Sequence, residues 1–208
     1  MIAIIDYDAG NTFNVQKALA HIGLDAVLTA DPNVILNADG VLLPGVGAYA
    51  SAVAVLKERG LVDVIQEVVK REIPLLGICL GMQLLFEESE EYGPTPGLGL
   101  IPGTVKEIPR DLGLSVPHMG WNKNTVHQPD SAFSNVDDQY TYFVHSYYVD
   151  TDPEFITSTA NYGIDVPGVV ERGRVYGMQF HPEKSGVVGL NLLRAFGNIT
   201  EAYAAAKK

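Results

Sequence analysis

The chain of 208 residues contains one cysteine, no long apolar run and few basic side chains. A lone cysteine cannot form an internal disulfide, which fits a reducing compartment. No basic residue precedes Lys17, so the N-terminus lacks the pattern of a signal peptide. No stretch approaches the roughly 18 apolar residues of a membrane span. We therefore expect a soluble protein of the cytoplasm.

Basic residues are also outnumbered: 14 Lys and Arg stand against 25 Asp and Glu, and the net charge is −11. Phosphates of nucleic acids and anionic lipid headgroups both attract clustered cations. The charge balance therefore argues against nucleic acid and against a membrane surface as partners. Hydrophobic residues make up 47% of the chain, which is normal for a globular core, so we expect one domain over residues 1–208.

The first half of the chain alternates apolar strand patterns with helical patterns. We predict strands at 1–6, 25–29, 40–43 and 73–78, and helices at 12–22, 48–59, 61–71 and 80–88. Asn11 or Thr12 is placed to cap the first helix, and Gly23 to end it. Continuous apolar strands that alternate with helices are typical of a parallel sheet covered on both faces.

The second half is rich in glycine, proline and short β-type runs, which include 141–145, 155–159 and 174–180. We expect these runs to form antiparallel strands added to one side of the sheet. Ser185 is placed to cap a last helix that ends near Ala206. The predicted fold class is therefore α/β, with a parallel central sheet, helices on both faces and antiparallel additions in the second half.

Cys79 lies in Gly-Ile-Cys-Leu-Gly, residues 77–81, directly after the apolar run 73–78. A small residue two places on either side of a nucleophile is the pattern of an elbow, where a strand turns sharply into a helix. Glycine is needed there because a Cβ would clash across the turn. A lone cysteine is usually a small buried hydrophobe, but this setting makes Cys79 a candidate nucleophile.

The motif Phe180-His181-Pro182-Glu183 follows the last predicted strand. Pro182 favours an extended conformation at His181, and side chains two residues apart in extended chain point to the same side. Glu183 is therefore placed to orient His181 as a general base, although a solvated carboxylate is equally consistent with the spacing. A thiol, a base and an orienting carboxylate suffice for acyl transfer through a thioester, so we predict that Cys79, His181 and Glu183 meet at one edge of the sheet.

Two further features adjoin that edge. Gln83 lies one helical turn after Cys79, so its amide would face the reactive edge and bind a polar substrate, though a solvent-facing amide fits the spacing nearly as well. The loop Pro44-Gly45-Val46-Gly47 follows a predicted strand and exposes backbone amides. The amide of Val46, opposite that of Leu80, is a candidate donor of an oxyanion hole.

These segments together resemble the class I glutamine amidotransferases over almost the whole chain; the motifs concerned are 44–47, 77–83, 142–147 and 180–183. Finer features resemble the glutaminase subunits of imidazole glycerol phosphate synthases, namely Asp6-Tyr7 with Gly10-Asn11, the run 117–122 (Pro-His-Met-Gly-Trp-Asn) and the run 181–185 (His-Pro-Glu-Lys-Ser). The resemblance implies a flavodoxin-like fold and hydrolysis of L-glutamine to L-glutamate and ammonia.

The resemblance also implies roles for individual residues. Cys79 would be the nucleophile, His181 the base and Glu183 its orienting carboxylate, with the amides of Val46 and Leu80 as the oxyanion hole. The residues implied to line the glutamine pocket are Gly47, Gln83, Glu91, His145, Ser146 and Tyr147. No metal or organic cofactor is implied, because thiolate and imidazole carry the acyl and proton transfers.

A partner follows from the same resemblance. Ammonia would pass to a separate cyclase subunit, a (β/α)₈ barrel, in a heterodimer that makes imidazole glycerol phosphate and an aminoimidazole carboxamide ribotide for histidine biosynthesis. Asn11, Trp121 and Lys184 match positions at that contact, although a helix cap, a core aromatic and a surface lysine are the structural alternatives. We also expect the isolated chain to be a poor glutaminase until the cyclase and its nucleotide ligand bind.

Three other functions stay open on the sequence. The first is a glutaminase that serves another synthase, such as those for anthranilate, guanylate or pyridoxal phosphate; the segment around Trp121 and the run 181–185 favour the histidine pathway instead. The second is a catalytically silent subunit, against which all three triad residue types are intact. The third is a cysteine peptidase on a similar sheet.

Overall fold

The computed structural model describes all residues from 1 to 208. The strands are β1 Ile2–Ile5, β2 Ala26–Thr29, β3 Gly40–Leu43, β4 Leu75–Ile78, β5 Phe86–Ser89, β6 Thr95–Pro96, β7 Ile101–Glu107, β8 His118–Val126, β9 Tyr140–His145, β10 Tyr147–Asp150, β11 Ile156–Asn161, β12 Asp165–Arg172 and β13 Val175–Met178. The α-helices are α1 Thr12–His21, α2 Pro32–Leu36, α3 Tyr49–Glu58, α4 Leu61–Lys70, α5 Leu80–Gln83 and α6 Gly186–Ala206.

The main sheet has nine strands in the order β2-β1-β3-β4-β13-β12-β11-β8-β9. Strands β2, β1, β3, β4 and β13 pair in parallel, and β12, β11, β8 and β9 extend the sheet through antiparallel pairs. With β13 as the fifth strand, the parallel part has the order 2-1-3-4-5 of flavodoxin-like sheets. The predicted α/β class and the antiparallel additions are both confirmed.

Helices cover both faces of the parallel strands. Every residue of β1, β3 and β4 is buried, and alternate side chains of each strand enter separate hydrophobic clusters on the two faces. Residues of α1 and α6 belong to one cluster, and residues of α3 and α4 belong to the other. Full burial of each Leu, Ile or Val side chain stabilises the fold by about 1.5–3 kcal/mol. No helix combines the length and apolar character that crossing a membrane requires.

A second sheet, in the order β10-β7-β5-β6, was not predicted. The predicted helix 80–88 is wrong beyond Gln83, because α5 is a single turn and the chain then enters β5, which pairs in parallel with β7. Leu84, Leu85 and Phe86 are completely buried. An apolar run without a polar face is compatible with a strand or a buried helix, and the pairing strand decides between them.

Two predicted helix caps have other roles. Asn11 precedes α1 in a left-handed conformation, but its side chain makes no capping bond and instead reaches Glu183. Ser185 precedes α6, and its hydroxyl donates to the His181 carbonyl at 2.6 Å and accepts from the Tyr142 N–H at 3.0 Å. Both side chains therefore tie the segment after β13 to its neighbours rather than satisfy helix N–H groups.

The parallel strands place several loops at one edge. Because β1, β3, β4 and β13 run in the same direction, their carboxyl ends meet there. The loops that follow these strands carry Tyr7, the segment Pro44–Gly47, Cys79 and His181. Residues far apart in the chain are thereby brought to a common site.

Candidate active site

Cys79 occupies a strained turn between β4 and α5. Its φ of 55° lies in a left-handed region that side chains rarely adopt. A Cβ at Gly81 would lie 1.8 Å from the Leu43 carbonyl oxygen, and one at Gly77 would lie 2.6 Å from the Gly81 carbonyl oxygen. The two glycines therefore allow the backbone segments of the turn to pack closely, which fixes its geometry. In this geometry Cys79 lines a cavity.

The imidazole of His181 is held by a buried carboxylate. Nδ1 of His181 donates to Oε1 of Glu183 at 2.7 Å, and the Glu183 side chain has no solvent exposure. Oε1 also accepts a hydrogen bond from Nδ2 of Asn11 at 2.6 Å. Nε2 of His181 is buried without a hydrogen-bond partner, so this nitrogen is free to exchange a proton with a neighbouring group.

Charge at this site favours the imidazolium. Burial by itself lowers the pKa of His181, but the adjacent Cys79 sulfur and the Glu183 carboxylate outweigh burial and raise the pKa to about 9. Cys79 and His181 are thus close enough to interact, although the sulfur and Nε2 do not reach hydrogen-bonding geometry. Contacts of this kind are often loose before a substrate binds.

The cavity beside Cys79 has a volume of about 440 Å³. This cavity is lined by all six residues for which the resemblance implies a place in a glutamine pocket, namely Gly47, Gln83, Glu91, His145, Ser146 and Tyr147. Cys79, His181, Val46, Leu80 and Lys184 contribute to the same wall. The structure therefore brings together the predicted nucleophile, base and pocket residues.

Two of these residues offer acceptors to a ligand. Nε2 of Gln83 donates to the Tyr147 carbonyl at 3.0 Å and to Gln179 at 3.1 Å, so only Oε1 remains for a substrate. Glu91 is nearly buried, and its Oε2 accepts from the Tyr49 N–H at 3.2 Å. A buried carboxylate and an amide oxygen fit an ammonium group in the cavity.

The side chain of His145 points into the protein rather than toward a ligand. Nδ1 of His145 lies 2.7 Å from the Tyr147 carbonyl, and Nε2 lies 2.9 Å from Nδ1 of His118. Burial is the main cause that lowers the pKa of His145 to about 3, and the charges of His118 and His181 lower it further. The hydrogen bond to the Tyr147 carbonyl raises the pKa but does not offset them, so the ring is neutral at pH 7. Both ring nitrogens of His145 are therefore occupied by protein groups, and neither is left for a ligand.

The loop Pro44–Gly47 does not present an open oxyanion hole. The Leu80 N–H donates to the Gly45 carbonyl at 3.2 Å, which occupies one of the two predicted donors. A trans peptide directs its C=O and N–H in opposite directions, so the Val46 N–H of the same peptide unit points away from Leu80. The predicted pairing of the Val46 and Leu80 amides is thus not met in this conformation, and rotation of the Gly45–Val46 peptide would be needed to form it.

The residues predicted at a partner contact lie in three settings. Trp121 on β8 is 54% exposed, so the alternative of a core aromatic is wrong. Lys184 is exposed beside the cavity. Asn11 donates to the Glu183 carboxylate and therefore lies at the catalytic edge.

The sequence assigned no role at the site to two buried polar residues near the sulfur, Tyr7 and Gln179. The Tyr7 hydroxyl donates to the Pro44 carbonyl at 2.5 Å, and burial followed by the charge of Cys79 raises the pKa of Tyr7. Gln179 is completely buried and contacts Cys79. A lone amide inside the apolar run 175–180 was the available signal for Gln179. No group of three or more His, Cys, Asp or Glu side chains is placed to hold a metal ion.

Comparisons with known proteins identify the family of this chain. The chain matches the family model described as glutamine amidotransferase class-I over residues 3–197. It is 54% identical over 202 residues to the imidazole glycerol phosphate synthase subunit HisH of Lactiplantibacillus plantarum, with 97% of each chain covered. The corresponding subunit of Listeria monocytogenes is 49% identical over 200 residues, with 96% of each chain covered.

Solved structures show the same fold at lower identity. A glutamine amidotransferase crystal structure superposes with a TM-score of 0.76 at 19% identity, covering 97% of this chain and 100% of the other. A glutamine amidotransferase from Thermotoga maritima superposes with a TM-score of 0.64 at 17% identity, covering 98% and 84% of the two chains. Since the family model spans nearly the whole sequence and relatives about half identical align from end to end, this chain belongs to the class I glutamine amidotransferase family.

Proposed function

We propose that the chain is the glutaminase subunit of an imidazole glycerol phosphate synthase and hydrolyses L-glutamine to L-glutamate and ammonia. The observation that carries the proposal is a cysteine at a strained elbow, in one cavity with a histidine that a buried carboxylate orients. Relatives named as HisH subunits, about half identical over nearly the full length, support the choice of synthase.

In the first half-reaction, the Cys79 thiolate attacks the side-chain amide carbon of glutamine. The carbonyl oxygen becomes an oxyanion, and the protonated His181 gives its proton to the departing nitrogen, so ammonia leaves and a thioester remains. Glu183 keeps His181 in the tautomer that presents Nε2 and stabilises the imidazolium. Glu91 and Oε1 of Gln83 bind the ammonium group of the substrate.

In the second half-reaction, water hydrolyses the thioester. His181, now neutral, takes a proton from water as the oxygen attacks the thioester carbon, and collapse of the second oxyanion expels the thiolate. Glutamate leaves, and the sulfur and imidazole return to their starting state. Both half-reactions need the oxyanion hole, because negative charge develops on the same oxygen twice.

The closed oxyanion hole gives this chain a physical reason to be a poor glutaminase alone. Each missing donor costs about 10²- to 10³-fold in turnover. Val46 is 43% exposed, and a Cβ at Gly47 would meet no atom within 4 Å, so the loop has room to turn on this side of the Gly45–Val46 peptide, whereas Gly45 itself packs against the Tyr7 hydroxyl. We propose that binding of the cyclase and its nucleotide ligand rotates the Gly45–Val46 peptide and frees the Leu80 N–H.

An exposed apolar surface supports a docked partner. Met119 and Trp121 alternate along β8, so they share one face, and Tyr140 lies on the adjacent strand β9. These three side chains are 62%, 54% and 56% exposed. Exposed aromatic and Met side chains are enriched at protein interfaces. We propose that this face contacts the cyclase, a (β/α)₈ barrel, and that ammonia passes into it before water protonates the ammonia.

The test is ammonia release from glutamine by the purified chain, with and without a barrel cyclase and its nucleotide ligand. We expect slow release by the chain alone, an increase of about 10²-fold or more in the complex, and none by Cys79→Ala. Binding to a different synthase in place of the cyclase would overturn the assignment to imidazole glycerol phosphate synthase. An unreactive Cys79 in the assembled complex would overturn glutaminase activity itself.

A further inference from the structure

Gln179 is a buried amide that the mechanism above does not use. It lies between β13 and His181, has no solvent exposure, and interrupts an otherwise apolar run. Its backbone N–H donates to the Gly168 carbonyl at 2.9 Å, which fixes the position of the residue. Buried polar groups in folded proteins have hydrogen-bond partners, so the partners of this side chain indicate its role.

The orientation of the Gln179 amide is set through Gln83 by the Tyr147 carbonyl, which can only accept hydrogen bonds. Nε2 of Gln83 donates to the Tyr147 carbonyl at 3.0 Å and to Oε1 of Gln179 at 3.1 Å. Since Oε1 of Gln179 is thereby occupied, its NH₂ group is the end that faces the nucleophile. Nε2 of Gln179 lies 3.9 Å from Sγ of Cys79.

Besides the neighbouring imidazole of His181, the sulfur has two polar contacts of opposite character. The Val144 carbonyl, also 3.9 Å from Sγ, can accept a hydrogen bond from the thiol but repels a thiolate. The Gln179 amide donates, and a donor to an ionised group forms a stronger hydrogen bond than a donor to a neutral one. We propose that Gln179 stabilises the Cys79 thiolate by hydrogen-bond donation, and that Gln83 holds the Gln179 amide in the donating orientation.

This proposal rests on the proposed function for its effect on turnover, but its effect on the thiol is independent of glutamine. The stabilised thiolate is the species that attacks the amide carbon, and Gln179 does not line the cavity. Loss of the donor is therefore expected to lower kcat for glutamine while leaving KM nearly unchanged. Gln83 would then have two roles, because it binds substrate through Oε1 and orients Gln179 through Nε2.

The test is the rate of Cys79 alkylation by iodoacetamide as a function of pH, for the wild type, Gln179→Met and Gln179→Glu. We expect the pH of half-maximal alkylation to rise by about one unit in Gln179→Met, and further in Gln179→Glu, where an acceptor replaces the donor. In the complex with the cyclase, kcat falls about tenfold in Gln179→Met, with KM within about twofold of the wild type. Gln66→Met is the control for the same replacement at an exposed position, because the Gln66 amide donates to the Leu98 carbonyl and neither Gln66 nor Leu98 lines the cavity.

An unchanged alkylation profile in a folded Gln179→Met protein would overturn the proposal, and so would an equal shift in Gln66→Met. If Gln179→Met does not fold, Gln179→Glu decides by the same criterion, because its side chain has the same shape. Iodoacetamide requires neither glutamine nor a partner. A wild type without glutaminase activity would therefore contradict the proposed function while this measurement still decides the role of Gln179.

Discussion

The elbow around Cys79 and the loop Pro44–Gly47 face each other across the same site but differ in freedom. At the elbow, a Cβ on Gly77 or Gly81 would strike backbone atoms, so the turn is locked. In the loop, Gly45 is packed against the Tyr7 hydroxyl and its carbonyl is bound to the Leu80 N–H, but a Cβ on Gly47 would meet nothing within 4 Å, so the freedom of the loop lies at Val46 and Gly47. The nucleophile is therefore fixed in place, whereas the oxyanion hole depends on a peptide that must turn. Control of turnover by a partner would act on the loop and leave the elbow unchanged.

Removal of the sulfur tests the fixed side of this comparison with the largest effect. We expect Cys79→Ala to lower ammonia release in the assembled complex by at least about 10⁴-fold, because no other group forms the thioester. Circular dichroism should show an unchanged fold, since the smaller side chain introduces no clash. Residual turnover within about a hundredfold of the wild type would contradict the role of Cys79.

Matched glycine substitutions compare the two regions directly. Gly81→Ala should lower the free energy of unfolding by about 3 kcal/mol or more, because its Cβ would lie 1.8 Å from a backbone oxygen. Gly47→Ala should cost about 1–2 kcal/mol, because its φ of 103° is strained for alanine but its surroundings are open. Urea unfolding measures both values. Equal costs would show that the loop is packed as tightly as the elbow.

The charge relation between the sulfur and the imidazole is tested by titration. In Cys79→Ser the anionic neighbour is lost, while burial still lowers the pKa of His181 and Glu183 still raises it. Loss of an anion destabilises the imidazolium, so we expect the pKa to fall from about 9 by about one unit, measured by NMR of the labelled histidine. The Gly47→Ala variant, which keeps the sulfur, should titrate as the wild type does. A pKa that stays the same or rises in Cys79→Ser would show that the sulfur does not act on His181.

A smaller effect is expected at Asn11, which supports the carboxylate from outside the elbow. Asn11→Ala removes one of the two donors to Oε1 of Glu183, so turnover should fall about three- to tenfold. Asn37→Ala is the control and should leave turnover unchanged, because the Asn37 amide donates to the Asn33 carbonyl and contacts neither Asn11 nor Glu183. The same decrease is expected with and without the cyclase. A decrease confined to the complex would assign Asn11 to the partner contact instead.

Local patterns were sufficient for the elements whose burial is regular. Strands β1, β3 and β4 are apolar throughout, and Gly60 separates α3 from α4, as the sequence predicted. The spacing of glycines around Cys79 also predicted the elbow, because the requirement for a missing Cβ is local. The pair His181 and Glu183 was similarly accessible, since Pro182 restricts the intervening backbone.

Features that depend on distant chain segments were not accessible. Residues 86–89 form a strand only because residues 101–107 pair with them, so a helix was the natural local prediction. The side chains of Asn11 and Ser185 could have capped helices, but Glu183 and the backbone of residues 142 and 181 take them instead. The hydrogen bond from Leu80 to Gly45 depends on the rotation of one peptide, which no residue type specifies.

The most direct measurement follows two rates on the same sample: alkylation of Cys79 by iodoacetamide and ammonia release from glutamine. Alkylation requires only the thiolate, whereas turnover requires the oxyanion hole as well. We predict that the cyclase and its nucleotide ligand raise turnover by about 10²-fold or more and change alkylation by less than about threefold. Rapid turnover by the chain alone, or an equal rise in both rates, would contradict the account.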